Sequence, residues 1–410
     1  MNEGHPVPAT VSVAIANLGN LEMKKVLLGT SALLGAGLMA SPAFAADGIK
    51  LQLGGFFRTA VEGNWDNHGH NDLGNDRYND GVYSDAEIYF TGKTTLDNGL
   101  TVGARVELEG ETKSSDQIDA AYVYFQGGFG EVRVGSFNGA MSTMCVTPVG
   151  GTANFGAFSQ DQVLSNAFSG YSAGICNSVD GFQDGNAPGS TNKAQKIMYM
   201  TPNFGGFQLG LSWSPNGSHE SSGVTDFHSG QPAVVNGEQR NIVDAYATFS
   251  HDFDSWSISW GGGGSWALST GGTEPEGVQK NSYYQTGLNL TFGGFSVGGA
   301  FEYYHDFNSF NNGTTGDAWV AGGGVAYNFD AWTVGLQYSH SMYEFAAAGG
   351  NDHGVARNIN TVAATGQYAM GPGINLDGTL QYTWASDGND GVQHGTYHAF
   401  GVGLGTSFNF

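Results

Sequence analysis

The sequence predicts an all-β fold, a transmembrane antiparallel up-and-down β-barrel of about sixteen strands. Three observations carry it. Runs of residues alternate apolar and polar with a period of two, and the connections between runs are by turns very short and long. The 410 residues include 67 glycines, 26 phenylalanines and 18 tyrosines, yet only 12% are charged. Glycine is costly inside helices, while aromatic residues suit strands and membrane interfaces, so this profile speaks against a cytoplasmic α/β enzyme. No long apolar run follows Ala45, which excludes a helical membrane protein. A slightly negative mean hydropathy still fits lipid, because a spanning strand needs only ~10 residues with alternate ones apolar.

Taken from the start, Met23 to Ala45 reads MKKVLLGTSALLGAGLMASPAFA, in which Lys24 and Lys25 precede an apolar stretch closing on Ala43-Phe44-Ala45. This is the layout of a secretory signal peptide, with cleavage expected after Ala45. A membrane-anchor helix is the competing reading, but the glycine-interrupted stretch is short for a span of ~20 residues. Residues 1–22 precede a methionine that already begins a complete signal, and they are expected to be a mis-called start. Residues 46–410 are expected to form one barrel, since no linker or composition shift divides them.

The short connections are Asp97-Asn98-Gly99, Gly127 to Gly130, Pro202 to Gly206, Asp252 to Ser255, Gly293-Gly294, Asp330-Ala331 and Gly371 to Gly373. They carry the residue types that tight turns require. Between them fall long polar stretches: Trp65 to Asp80, Phe137 to Thr191, Pro215 to Arg240, Ser269 to Asn281, His305 to Asp317, Glu344 to Arg357 and Ser386 to Gly395. Strands of roughly ten to fourteen residues remain. An even number brings the start of the first strand and the end of the last out on the short-turn side and lets the two pair, removing edges that lipid cannot satisfy.

The segment LTVGARVELE fixes which face is which. Leu100, Val102, Ala104, Val106 and Leu108 share one side, and Arg105, Glu107 and Glu109 the other. Arginine facing lipid at mid-depth costs ~2 to 4 kcal/mol, so the apolar side is the outer one. The same phase puts Lys50, Gln52 and Arg58 inside on the first strand, Asp85, Glu87 and Lys93 on the second, Glu131 and Arg133 on the fifth, and Lys196 on the sixth. Outer positions repeat as Phe207, Leu209, Leu211, Trp213, then Trp256, Ile258, Trp260, then Trp332, Val334, Leu336, Tyr338, and Leu380, Tyr382, Trp384. Aromatic girdles of this kind suit a lipid–water interface. A soluble two-sheet core also alternates, but its inner faces would be a second apolar set rather than charges, glutamine, serine and glycine. Asp116 to Gln126 is apolar on both faces, which implies either burial under a folded-in loop or neighbouring subunit, or a different register.

The net charge of −23 argues against a nucleic-acid partner, which needs a basic footprint. The acidic loops are either solvated or bridged by divalent cations to an anionic lipid surface. Asp66, His68, His70, Asp72, Asp76 and Asp80 crowd one loop and could loosely hold a divalent cation such as calcium, although such residues are also ordinary in exposed loops. No other cofactor or metal is expected. Cys145 and Cys176 lie in one loop of an exported chain, where either a disulfide or two free thiols is possible. A disulfide there would stabilise by roughly 3 to 4 kcal/mol through loop closure. Gly261 to Gly264 lacks the lysine and hydroxyl of a phosphate loop, and no serine occupies a nucleophile elbow, so no enzyme is expected.

The final strand places Phe400, Val402, Leu404, Phe408 and Phe410 on one face. Together with KIMYMTPNFGGFQLGLSWSP at Lys196 to Pro215, and Gly54-Gly55-Phe56-Phe57 on the opening strand, it resembles the general diffusion porins of Gram-negative bacteria, the alphaproteobacterial type in particular. The resemblance implies a homotrimer of sixteen-stranded barrels in the outer membrane, exported through the periplasm, each a water-filled channel for passive diffusion of ions and small hydrophilic solutes. It implies lipid, lipopolysaccharide and the barrel-assembly machinery as partners, the last recognising Phe410. The loop at residues 137–191 would fold into the barrel as a constriction. Asp161, Asp180 and Asp184, with Glu107 and Glu109, would form its acidic side, facing a basic wall of Lys50, Arg58, Lys93, Arg105, Arg133 and Lys196. Pairing of those bases with Glu87, Glu107 or Glu131 is the alternative. The two cysteines depart from the family pattern. A substrate-specific channel with Phe155, Phe158, Phe168 and Tyr171 along its path, or a plugged surface barrel acting as an adhesin, are the competing functions.

Overall fold

Lipid offers no partners to backbone N–H and C=O groups, so a strand can cross it only if both its edges are paired. The structure, a computed structural model, describes residues 48–66, 79–110, 117–151, 193–217, 239–270, 281–309, 315–345, 355–387 and 396–410. Residues 1–22 and the expected leader at 23–45 lie outside these. Within the described residues the strands are β1 (Lys50–Asp66), β2 (Asp80–Thr95), β3 (Thr101–Glu109), β4 (Ile118–Gly127), β5 (Gly130–Ser136), β6 (Gln195–Met200), β7 (Phe207–Asn216) and β8 (Gln239–Asp252). They continue as β9 (Trp256–Thr270), β10 (Ser282–Phe292), β11 (Phe295–Ser309), β12 (Thr315–Phe329), β13 (Trp332–Phe345), β14 (Val355–Gly371), β15 (Ile374–Asp387) and β16 (Thr396–Asn409). One short helix, α1 (Ala140–Met144), follows β5.

Each strand pairs antiparallel with its neighbours in sequence, and β16 pairs with β1 to close the barrel. On that seam Phe57 faces Phe408, Val61 faces Leu404 and Trp65 faces Phe400. The backbone of Phe410 exchanges hydrogen bonds with Gly55 at 2.9 and 3.1 Å. All seven expected tight turns are present at one end of the barrel. In the first, the Gly99 N–H donates to the Leu96 carbonyl at 2.9 Å and Gly99 takes φ +81°, a conformation that favours glycine.

The strands run further than the alternation suggested. β1 and β14 have 17 residues and β2 has 16, so Trp65, Asp66, Asp80, Pro215, Arg240 and His305, expected in long loops, belong to strands. The period-two signal needs two different media on the two faces, whereas the hydrogen-bonded ladder needs only a paired neighbour and runs on to Gly63 opposite Asp80 and Arg357 opposite Asp387. β5 and β6 are short, at 7 and 6 residues, because the chain leaves the wall at Phe137 and turns inward. The two-faced strand β4 also resolves. A register shift opposite Glu107 and Leu108 leaves Asp119 as an extra residue, a β-bulge that sends this carboxylate inward beside Ala120 and Tyr122. Ala120 and Tyr122 then pack under Phe137, Ala140 and Met198 of the inward segment and β6.

The outer face is the apolar one. On β13, Trp332, Val334, Leu336 and Tyr338 are exposed, while Ser339 and Ser341 on the other side are buried. Inner polar groups satisfy one another across strands: Thr361 Oγ1 lies 2.9 Å from Thr383 Oγ1, and Gln367 donates to Asp377 at 2.7 Å. Leu404, mid-strand on the seam, is 60% exposed. Leu404→Arg is expected to lower the stability of the lipid-refolded barrel by about 2 to 4 kcal/mol in a denaturant titration. A loss near zero would show that this face meets water.

Candidate functional site

The inner wall has two unlike halves. On β1 to β6 it is studded with charge. The Arg58 Nε donates to Asp85 at 2.7 Å across β1 and β2, and the Arg105 Nε donates to Glu107 at 2.6 Å along β3. Arg133 is paired with Glu131 along β5, and Lys193, just before β6, with Asp119. Period-two geometry explains the pairs within a strand, since residues i and i+2 share a face. Aromatic rings brace three of the guanidinium groups: Phe56 lies 5.1 Å from Arg58, Tyr89 4.1 Å from Arg105 and Tyr122 5.3 Å from Arg133. The carboxylates of Glu87, Glu109 and Asp119 come within 4.8 Å of one another between these pairs. The wall is thus a mosaic of opposite charges rather than a basic surface.

The six bases expected on one wall therefore separate. Arg58, Arg105 and Arg133 face the lumen in pairs with carboxylates. Lys50 and Lys93 are cross-strand partners at the exposed short-turn end. Lys196 is only 4% exposed and lies beneath the inward segment, where its ammonium donates to the Phe137 carbonyl and, at 2.6 Å, to that of Ala194. Those two carbonyls and the Phe137 ring, 5.4 Å away, make it an anchor for that segment. Asp161, Asp180, Asp184 and Cys176 lie outside the described residues, as do His68, His70, Asp72 and Asp76 of the loop after β1. Glu107 and Glu109 stand on the charged half itself.

The other half, β7 to β14, is occupied by the inward segment. From Phe137 the chain passes through α1 and runs along the wall to Gly151. Side chains of the barrel hold its backbone at successive points. Ser212 on β7 accepts from the Ala140 N–H at 3.1 Å and donates to Asp244 on β8 at 2.7 Å. Tyr246 on β8 accepts from the Val146 N–H at 3.3 Å, while Gln285 on β10 donates to the Val146 carbonyl at 3.0 Å. Asn289 on β10 donates to Thr147 at 2.8 Å and Thr365 on β14 to Gly150 at 2.9 Å. Cys145 is disulfide-bonded and packs against Val320 on β12. Alternation marks these side chains as inner polar residues, but nothing in the sequence pairs them with a segment 72 to 215 residues away.

Beyond β6 the described lysines and arginines are Arg240 and Arg357, both near the long-loop ends of their strands. Inner-facing Asp244, Glu302 and Asp377 lie between those ends, the last two fully buried. Glu302 accepts from Tyr304 at 3.2 Å. Fixed charges aligned across a bore orient water and dipolar solutes within it.

The profile of the Gram-negative porin family matches residues 29–389. The chain belongs to that family. The family and the closed barrel place it in the outer membrane. A relative named "Monosaccharide porin", from Halomonas sp, is 25% identical over 248 residues, covering 58% of this chain and 62% of the relative. The match thus spans about three fifths of that curated relative's length. Among solved structures, the trimer form of OmpT, an outer membrane protein of Vibrio cholerae, shares the fold with a TM-score of 0.55 and 14% identity over 89% of this chain and 100% of that one. An anion-selective porin from Comamonas acidovorans does so with a TM-score of 0.52 and 17% identity over 88% and 100%.

Lys196→Met keeps the length of the side chain and deletes its donors. It is expected to cost roughly 1 to 3 kcal/mol and to speed proteolysis within residues 137–151. Wild-type stability together with wild-type cleavage would show that Lys196 does not hold the segment.

Proposed function

We propose that this porin is a general diffusion channel, passing ions and small hydrophilic solutes passively and catalysing no reaction. The observation that carries the reading is a closed barrel whose lumen is narrowed from one side by a tethered segment and lined on the other by paired fixed charges. Reconstituted in planar bilayers, the protein is expected to give large ohmic conductance steps. Steps blocked by one solute would favour a substrate-specific channel, and silence a plugged surface barrel. The Halomonas relative's name supports including monosaccharides among the solutes.

Mild cation preference follows from the same wall. The lumenal arginines are each matched by a carboxylate, Lys196 faces Asp244 beneath the segment, and the strands after β6 add Glu302 and Asp377 within the wall without adding a base between their ends. Arg105→Gln combined with Arg133→Gln is expected to raise the cation-to-anion permeability ratio by roughly twofold or more, read from the reversal potential in a salt gradient. An unchanged ratio would remove both from the selective region, and an anion-selective wild type would reverse the assignment.

The trimer form of the Vibrio cholerae neighbour supports a homotrimer. Residues 23–45 as an export leader and Phe410 as the mark read by the assembly machinery complete the reading, with lipid and lipopolysaccharide around the barrel. Cys176 is the partner proposed for Cys145, being the second of the two cysteines in the chain. The acidic side proposed for Asp161, Asp180 and Asp184 would face the arginine pairs, and calcium is proposed at most as a loosely held ion of the acidic loops.

A further inference from the structure

The wall beneath the inward segment lacks side chains where the two backbones come closest. Inner-facing Gly287 on β10, Gly324 on β12 and Gly335 on β13 follow the segment round the barrel, with Gly210 on β7 and Gly261 on β9 ahead of them. Register places small residues side by side: Gly261 opposite Gly287, Gly287 opposite Ala300, and Gly298 opposite Gly324. A Cβ at Gly287 would lie 2.1 Å from the Val146 carbonyl oxygen, and one at Gly324 2.0 Å from that of Val149. At Gly335 it would lie 2.6 Å from the Gly150 Cα. The fit is reciprocal. Gly150 has φ +84°, and a Cβ there would meet the Val325 carbonyl oxygen at 2.3 Å.

These are contacts of backbone with backbone, which no rotamer change can relieve. Gly210 differs, since the nearest atom to a Cβ there is the Sδ of Met144, at the end of a flexible side chain. Glycine weakens a strand interior, and its use there often marks the close approach of another backbone. The tethers from Gln285, Asn289 and Thr365 stand beside the glycines and are short enough to bond only a segment that has sunk to the sheet.

We propose that Gly287, Gly324 and Gly335 are positioning residues of the channel: they seat the inward segment against the sheet and thereby set how much of the bore stays open. The inference rests on the diffusion-channel reading and adds what determines the width. Ordinary contact begins at 3.4 Å, so a methyl at Gly287 or Gly324 moves the segment by about 1 Å toward the lumen.

The test compares Gly287→Ala and Gly324→Ala with Gly210→Ala and with Gly366→Ala, the last at a glycine with open space around it. All four are read in planar bilayers and by uptake of neutral sugars of graded size. Unit conductance is expected to fall by roughly a quarter in the first two, with a smaller size cutoff, and to stay at the wild-type level in the others. Four variants identical to a conducting wild type overturn the inference alone, as does an equal fall in Gly366→Ala. A wild type that opens no channel overturns the diffusion reading as well. Should the two critical variants fail to fold, Asn289→Ala with Thr365→Val removes two tethers without adding bulk. Increased open-channel noise is then expected, and a quiet channel of wild-type conductance overturns the proposal.

Discussion

Closure of the hydrogen-bond ladder is the constraint on which everything else in this protein depends. Each strand crosses a medium that cannot solvate a peptide group, so the seam between β1 and β16 must be as complete as any internal pairing. Once the sheet is closed, alternate side chains have only two destinations, lipid or lumen. Trp332, Leu336 and Tyr338 go to one, and Gln337, Ser339 and Ser341 to the other. The polar lumen is therefore a consequence of spanning the membrane with strands, and a channel is what such a lumen becomes unless it is filled.

The inward segment fills about one side of it. Its position is overdetermined: Lys196 holds the root at Phe137, Ser212, Tyr246, Gln285, Asn289 and Thr365 bond its backbone, and the disulfide at Cys145 sits over Val320. Individually these bonds contribute modestly, about 1 kcal/mol each. Spread along fifteen or so residues of chain, they hold a backbone that has no ladder of its own. The opposite half keeps its charges facing water, and the aromatic rings of Phe56, Tyr89 and Tyr122 hold the arginines in place beside the carboxylates. On the proposed diffusion-channel reading, the tethered segment on one side sets width and the fixed charge on the other sets field.

The distribution of charge also shows why counting residues is a poor guide to a lumen. Lys196 and Arg105 both fall on inner positions of their strands, yet one is sealed beneath the segment and the other lies against Tyr89 beside its carboxylate partner. The difference comes from which strands the segment covers, and that depends on where a chain of irregular backbone finds donors.

What the sequence determined by itself is whatever depends on a period of two: the barrel, its strand number, its two ends, the tight turns from Asp97-Asn98-Gly99 to Gly371 to Gly373, and the inner phase of Arg58, Arg105, Arg133 and Lys196. Each strand reads the same two media independently, so local pattern suffices. Tertiary structure alone decided the rest. The bulge that turns Asp119 inward, the pairing of Arg58 with Asp85, the burial of Lys196 and the contact of Gly324 with Val149 all join residues far apart in the chain. Their geometry depends on register and on the path of the segment, neither of which leaves a periodic mark.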